Sequence, residues 1–91
     1  MIFTTFNDWE FDGNVANAIE NAKNFWSVLK AASAMNMRAT VTGPNSIRTE
    51  TLWSSKEEIE TNLDKIRAAA GSAVGLSVTV AMQGNVVLEL D

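Results

Sequence analysis

The chain has 91 residues, 46% of them hydrophobic and 20% charged, with a net charge of −4; this is one globular domain by size and composition. Cys, His and Tyr are all absent, which excludes disulfides, thiolate nucleophiles, zinc–cysteine sites, the Ser-His-Asp arrangement, histidine-ligated haem and phenol-based acid–base chemistry. The acidic balance opposes a phosphate-tracking surface, so nucleic acid is not an expected partner. No stretch approaches the ~18 uncharged apolar residues of a membrane span. The start, Met1-Ile-Phe-Thr-Thr-Phe-Asn-Asp, has no basic n-region and no apolar h-region, so a cytoplasmic protein with no membrane partner is the expectation.

Residues 2–9 are aromatic and β-branched and predict a strand. Asp12-Gly13-Asn14 breaks it and offers two candidate helix caps, Asp12 and Asn14. From Val15 the apolar residues Val15, Ala18, Ile19, Ala22, Phe25, Trp26, Leu29 and Ala32 recur at three- and four-residue steps. That stripe predicts an amphipathic helix running to about Met35.

Residues 37–42 alternate Met37, Ala39 and Val41 against Arg38, Thr40 and Thr42, which is strand period. Gly43-Pro44-Asn45-Ser46 is a turn cluster, and residues 47–53 resume the alternation. Register follows from charge and burial. A loop of Gly43-Pro44-Asn45 sets Arg38 opposite Glu50 and keeps Met37, Ala39, Val41, Ile47 and Trp53 on one face, whereas a loop one residue longer sets Ala39 beside Glu50.

Ser54-Ser55-Lys56-Glu57-Glu58 holds two overlapping capping boxes, Ser54 with Glu57 and Ser55 with Glu58. A second helix follows, with Ile59, Leu63, Ile66 and Ala70 on a narrow stripe and Gly71 as its stop. Residues 76–82 predict a strand, Gln83-Gly84-Asn85 a turn, and residues 86–90 a last short strand.

The order is β-α-β-β-α-β with a C-terminal β-extension: a single α+β domain over residues 1–91, ferredoxin-like, with an antiparallel sheet and two helices on one face. Ile2, Phe6 and Leu52 then lie on the face that the helices leave open. An open apolar face calls for a partner, and a homodimer through that face is the economical arrangement. The terminal strand could add to the neighbouring sheet.

The segment Ile47-Arg-Thr-Glu-Thr-Leu-Trp53-Ser-Ser-Lys56-Glu-Glu-Ile59 resembles the third strand and second helix of the antibiotic-biosynthesis-monooxygenase family of dimeric α/β barrels. Asn7 and Trp53 fall where the haem-degrading branch of that family has a functional Asn and Trp. That branch holds haem through a His, which this chain lacks. The resemblance therefore implies, instead, the members that oxygenate aromatic polyketides or quinols without metal or flavin.

Asn7, Phe25, Trp26, Leu29, Met35 and Trp53 are the candidate ligand-binding residues, with Asn7 and Trp53 catalytic if the protein is an oxygenase. Each also has a plainer role: Trp53, Phe25 and Trp26 in the core, and Asn7 closing its strand by bonding the turn backbone. Arg38, Arg48 and Glu50 share the open face, where a cross-strand ion pair competes with anchoring of a ligand carboxylate. The acidic run Glu57, Glu58 and Glu60 suits a helix N-terminus, and no metal or other cofactor is expected. The leading expectation is a cleft between helices and sheet that binds an apolar or amphipathic small molecule, fatty-acid- or quinone-like; the alternative is a cofactor-independent monooxygenase. RNA-recognition modules share the strand order but display aromatic and basic residues where this chain has Arg48, Glu50 and Leu52.

Overall fold

A computed structural model describes residues 2–62, 64–66 and 75–90. Its elements are β1 (Phe3–Phe11), α1 (Val15–Ala31), β2 (Ala34–Gly43), β3 (Ser46–Trp53), α2 (Lys56–Thr61) and β4 (Leu76–Asn85). Residues 64–66 are also helical. The four strands form one antiparallel sheet in the order β2-β3-β1-β4. This is the ferredoxin-like α+β plan read from the sequence. Leu63, Ala70 and Gly71, expected on the second helix and at its stop, lie outside the described residues.

The turn between β1 and α1 is built from short polar side chains. Asp12 accepts a hydrogen bond from the Asn14 backbone N–H at 2.8 Å, and Asn14 accepts one from the Asn17 N–H at 3.0 Å. Asn14 is therefore the cap of the two candidates. Gly13 between them sits at φ +90°, a conformation costly for a residue with a Cβ. The β2–β3 turn is clipped to the same corner, because the Asn45 carbonyl accepts from the Phe11 N–H and the Asn45 amide donates to the Phe11 carbonyl, both at 3.0 Å.

The hairpin register is the predicted one, with Arg38 opposite Glu50 and Val41 opposite Ile47. The loop itself is tighter than expected: Gly43 pairs with Ser46, and the slip is absorbed by an irregularity between Val41 and Gly43. Thr42 and Ser46 share a 2.7 Å hydroxyl contact there.

Two boundaries differ from the sequence expectation. Helix α1 stops at Ala31, about one turn before Met35, because Ser33 adopts φ +81° and reverses the chain into β2. Met35 is thus a strand residue, 47% exposed. At the other end, Gln83-Gly84-Asn85 is not a turn. These residues continue β4 and pair with Thr5, Thr4 and Phe3, since β1 offers a pairing edge that extends to Phe3, beyond the irregularity between Asp8 and Trp9. Residues 86–90 form no strand, and at their start the Val86 N–H donates to the Ile2 carbonyl at 3.0 Å.

Ser33 also joins two corners. Its hydroxyl donates to the Ser55 carbonyl at 3.1 Å and accepts from the Ser55 N–H at 3.3 Å, while its carbonyl accepts from the Ser54 N–H. Ser55 caps α2 through the Glu58 N–H and donates its hydroxyl to Glu57. One half of the second capping box is therefore made, and Ser33 takes the place of its other half. The Glu57 carboxyl is held below the usual range, first by its own backbone N–H and then by the Ser55 hydroxyl.

The core falls into two clusters at opposite ends of the sheet. Phe3, Leu29, Ala32 and Trp53 form one, with Phe25, Trp26, Met37 and Ile59 packed against it. Phe11, Ala18 and Ile47 form the other, with Leu76. Helix α1 belongs to both, through Ala18 near its start and Leu29 near its end. Among the described residues, no helix is long and apolar enough to cross a membrane.

Candidate functional site

Between the two clusters lies a cavity of about 1070 Å³, at the upper end of the range for small-molecule sites. Its roof is α1, with Ile19, Ala22, Phe25 and Trp26; its floor is the helix-facing side of the sheet. Of the expected binding residues, Asn7, Phe25, Trp26, Leu29 and Trp53 line it. Met35 does not. With α1 ending early, Met37 carries the thioether into the cavity instead, two residues along β2 on the opposite parity from Asn36.

The floor carries a pattern that sequence reasoning missed. The β1–β3 pairing sets Thr5 opposite Thr51 and Asn7 opposite Thr49, so four polar side chains occupy its centre. Aromatic residues bracket them: Phe3 opposite Trp53 at one end and Trp9 opposite Ile47 at the other. Each indole turns inward. Trp53 donates its Nε1–H to Thr5 Oγ1 at 2.9 Å, and Trp9 donates to Thr49 Oγ1 at 2.9 Å. Trp9 also meets Phe25 of the roof edge-to-face, with ring centroids 6.5 Å apart.

Asn7 differs from its neighbours. Its amide makes no hydrogen bond to any described residue, and it does not bond the turn backbone as its plainer role would require. Among the described lining residues Lys23 is alone in being ionisable, and it sits at the rim, exposed and 3.9 Å from Glu20. Among the described residues no cluster of acidic side chains is grouped to hold a metal ion.

On the opposite face, Arg48 pairs with Asp8 of β1 and not with Glu50. Its Nε donates to Asp8 Oδ1 at 2.7 Å and its Nη2 to Oδ2 at 3.0 Å. The pairing partner was invisible from the hairpin alone, because β1 lies on the far side of β3.

The fold is shared with solved structures described as oxygenases and antibiotic-biosynthesis monooxygenases, the family that the Ile47–Ile59 segment resembles. SnoaB, a cofactor-independent oxygenase from Streptomyces nogalater, superposes with a TM-score of 0.79 at 12% identity, over 98% of this chain and 96% of its own. A protein provisionally assigned as a monooxygenase from Shewanella loihica gives 0.71 at 15% identity, over 97% and 96%. One provisionally assigned to antibiotic biosynthesis from Nitrosomonas europaea gives 0.70 at 7% identity, over 94% and 90%. No family profile and no curated protein matches the sequence. At these identities the likeness is one of fold, and function has to be argued from the site.

Proposed function

We propose that the chain is a cofactor-independent monooxygenase that holds a flat, electron-rich aromatic compound, a quinol or an anthrone, in the cavity between α1 and the sheet. The observation that carries this reading is Asn7: an amide with no described protein partner, in the middle of a largely apolar cavity, among Thr5, Thr49 and Thr51. An amide lining such a cavity gains most when a ligand displaces water and completes its hydrogen bonds.

The chemistry suits what is there. When an anthrone loses a proton to water, negative charge develops on its oxygen, and the Asn7 side-chain amide N–H would stabilise that oxyanion. The electron-rich anion then reduces O2 directly. For each turnover one O2 is consumed, the methylene becomes a carbonyl and one water is released. The fold shared with SnoaB is consistent with this reaction. Oxygen uptake with an anthrone or dihydroquinone panel tests it, with quinone formed in equal amount. No uptake across the panel would sink the oxygenase.

A second reading has its own support. The described lining offers no carboxylate and only a rim lysine, which is little acid–base equipment for an enzyme. A carrier of an apolar or amphipathic molecule, fatty-acid- or quinone-like, needs none. A compound that co-purifies and is released on denaturation, without oxygen uptake, would favour the carrier.

We further propose a homodimer through the open sheet face. Phe6 and Leu52 lie on that face by register, and beyond Val86 the tail exposes Val87, Leu88 and Leu90 by 93%, 71% and 83%. The chain's accessible surface of 6008 Å² exceeds the about 5,200 Å² usual for a monomer of this size. A second copy would cover both features.

A further inference from the structure

The two indole–threonine bonds fix what kind of ligand edge the floor accepts. A threonine hydroxyl has one proton to give and lone pairs to receive, whereas an indole N–H only donates. Trp53 and Trp9 each occupy an acceptor site on Thr5 and Thr49. The hydroxyl protons of Thr5 and Thr49 are given to no other described residue. Each hydroxyl therefore keeps a proton to offer a ligand in the cavity, Thr5 beside Asn7 along β1 and Thr49 opposite it on β3.

We propose that Thr5 and Thr49 are the specificity-determining residues of the cavity, and that they select ligands presenting two acceptor oxygens on opposite sides of a ring system. Thr5 pairs with Thr51 and Thr49 with Asn7, so Thr5 and Thr49 are diagonal neighbours across β1 and β3. Such neighbours stand about 7–8 Å apart. That spacing suits carbonyl oxygens across a fused ring and not two adjacent oxygens. The indoles act as positioning residues: each fills one of its threonine's two lone-pair sites, which biases that hydroxyl toward donating to a ligand. The inference rests on the cavity being the functional site, but it does not require oxygenation.

Calorimetric titration with two probes separates these points: anthraquinone-2-sulfonate, which has two opposed carbonyls, and anthracene-2-sulfonate, which has the same rings and none. Wild-type protein is expected to bind the quinone about 10- to 100-fold more tightly, the combined worth of two neutral hydrogen bonds. Thr5→Val and Thr49→Val should each cut that preference about three- to tenfold. Thr5→Ser and Thr49→Ser retain the hydroxyl and should restore the preference, which separates recognition from a folding defect. The proposal is overturned if wild type shows no preference, if neither probe binds, or if the preference survives in the double valine variant. Absence of oxygen uptake beside an intact preference would remove the oxygenase alone, and uptake with no preference would remove this assignment alone.

Discussion

Asp8 and Arg48 face each other across the β1–β3 pairing, joined by two hydrogen bonds of 2.7 and 3.0 Å on the sheet face away from the helices. The bonds from Arg48, more than its charge, hold the Asp8 carboxyl below its ordinary value of 3.8, against a smaller opposing effect of burial. A carboxyl depressed in the folded state binds fewer protons than it does unfolded, so its contribution is present above 3.8 and fades as pH falls through the lower folded value. Asp8→Asn should therefore be less stable than wild type near neutral pH, and the gap should close in acid. Urea denaturation across that range checks it. A gap that stays constant down to strong acid would contradict the assignment.

Asn7→Ala separates chemistry from folding. The amide has no described partner to lose, so stability should stay within about 0.5 kcal/mol of wild type. Oxygen uptake should fall by about 10²- to 10³-fold, the usual cost of removing one oxyanion donor. An unchanged rate in a well-folded variant would remove Asn7 from the reaction.

Ser33 holds two corners together at a backbone conformation that disfavours side chains. Ser33→Ala keeps the strain and loses both hydroxyl bonds, so a loss of about 1–2 kcal/mol is expected. Ser33→Gly loses the same bonds but relieves the strain and should cost less. Thermal or urea unfolding of the pair gives the order. If glycine proves the worse of the two, the positive φ carries no strain.

Trp53 is 3% exposed, and its indole N–H has Thr5 as acceptor. Trp53→Phe removes that donor while leaving an aromatic ring in the core, and about 1–3 kcal/mol of stability should go with it. A loss far beyond this range would show that the ring's bulk, and not its N–H, governs the site.

The tail tests the assembly. Native mass spectrometry of the whole chain should give twice the chain mass, and removal of residues 86–90 should shift the balance toward monomer. A monomer before truncation would dispose of the homodimer; a dimer untouched by truncation would confine the contact to the sheet face.

What could be read from the sequence was whatever is decided locally. The period of Val15 to Leu29 announces α1, and the opposed charges of Arg38 and Glu50 fix the hairpin register. The end of α1 was missed because Ser33 enters a left-handed conformation without glycine, held by bonds to Ser54 and Ser55 that are distant in sequence. The turn expected at Gln83-Gly84-Asn85 was overridden because β1 supplies pairing partners along that stretch. The polar floor was missed for a related reason. Thr5 and Asn7 alternate on β1, and Thr49 and Thr51 on β3, but only the long-range β1–β3 register brings them together. Trp9 looked like a strand end for the same reason.

The placement of the indoles has an optical consequence. The chain has three tryptophans and no tyrosine, and Trp9, Trp26 and Trp53 all line the one cavity. Its ultraviolet emission therefore arises next to any bound ligand, with no remote fluorophore to dilute the signal. A quinone settling on the floor would quench that light through contact and energy transfer. The unmodified protein is thus its own sensor for what enters.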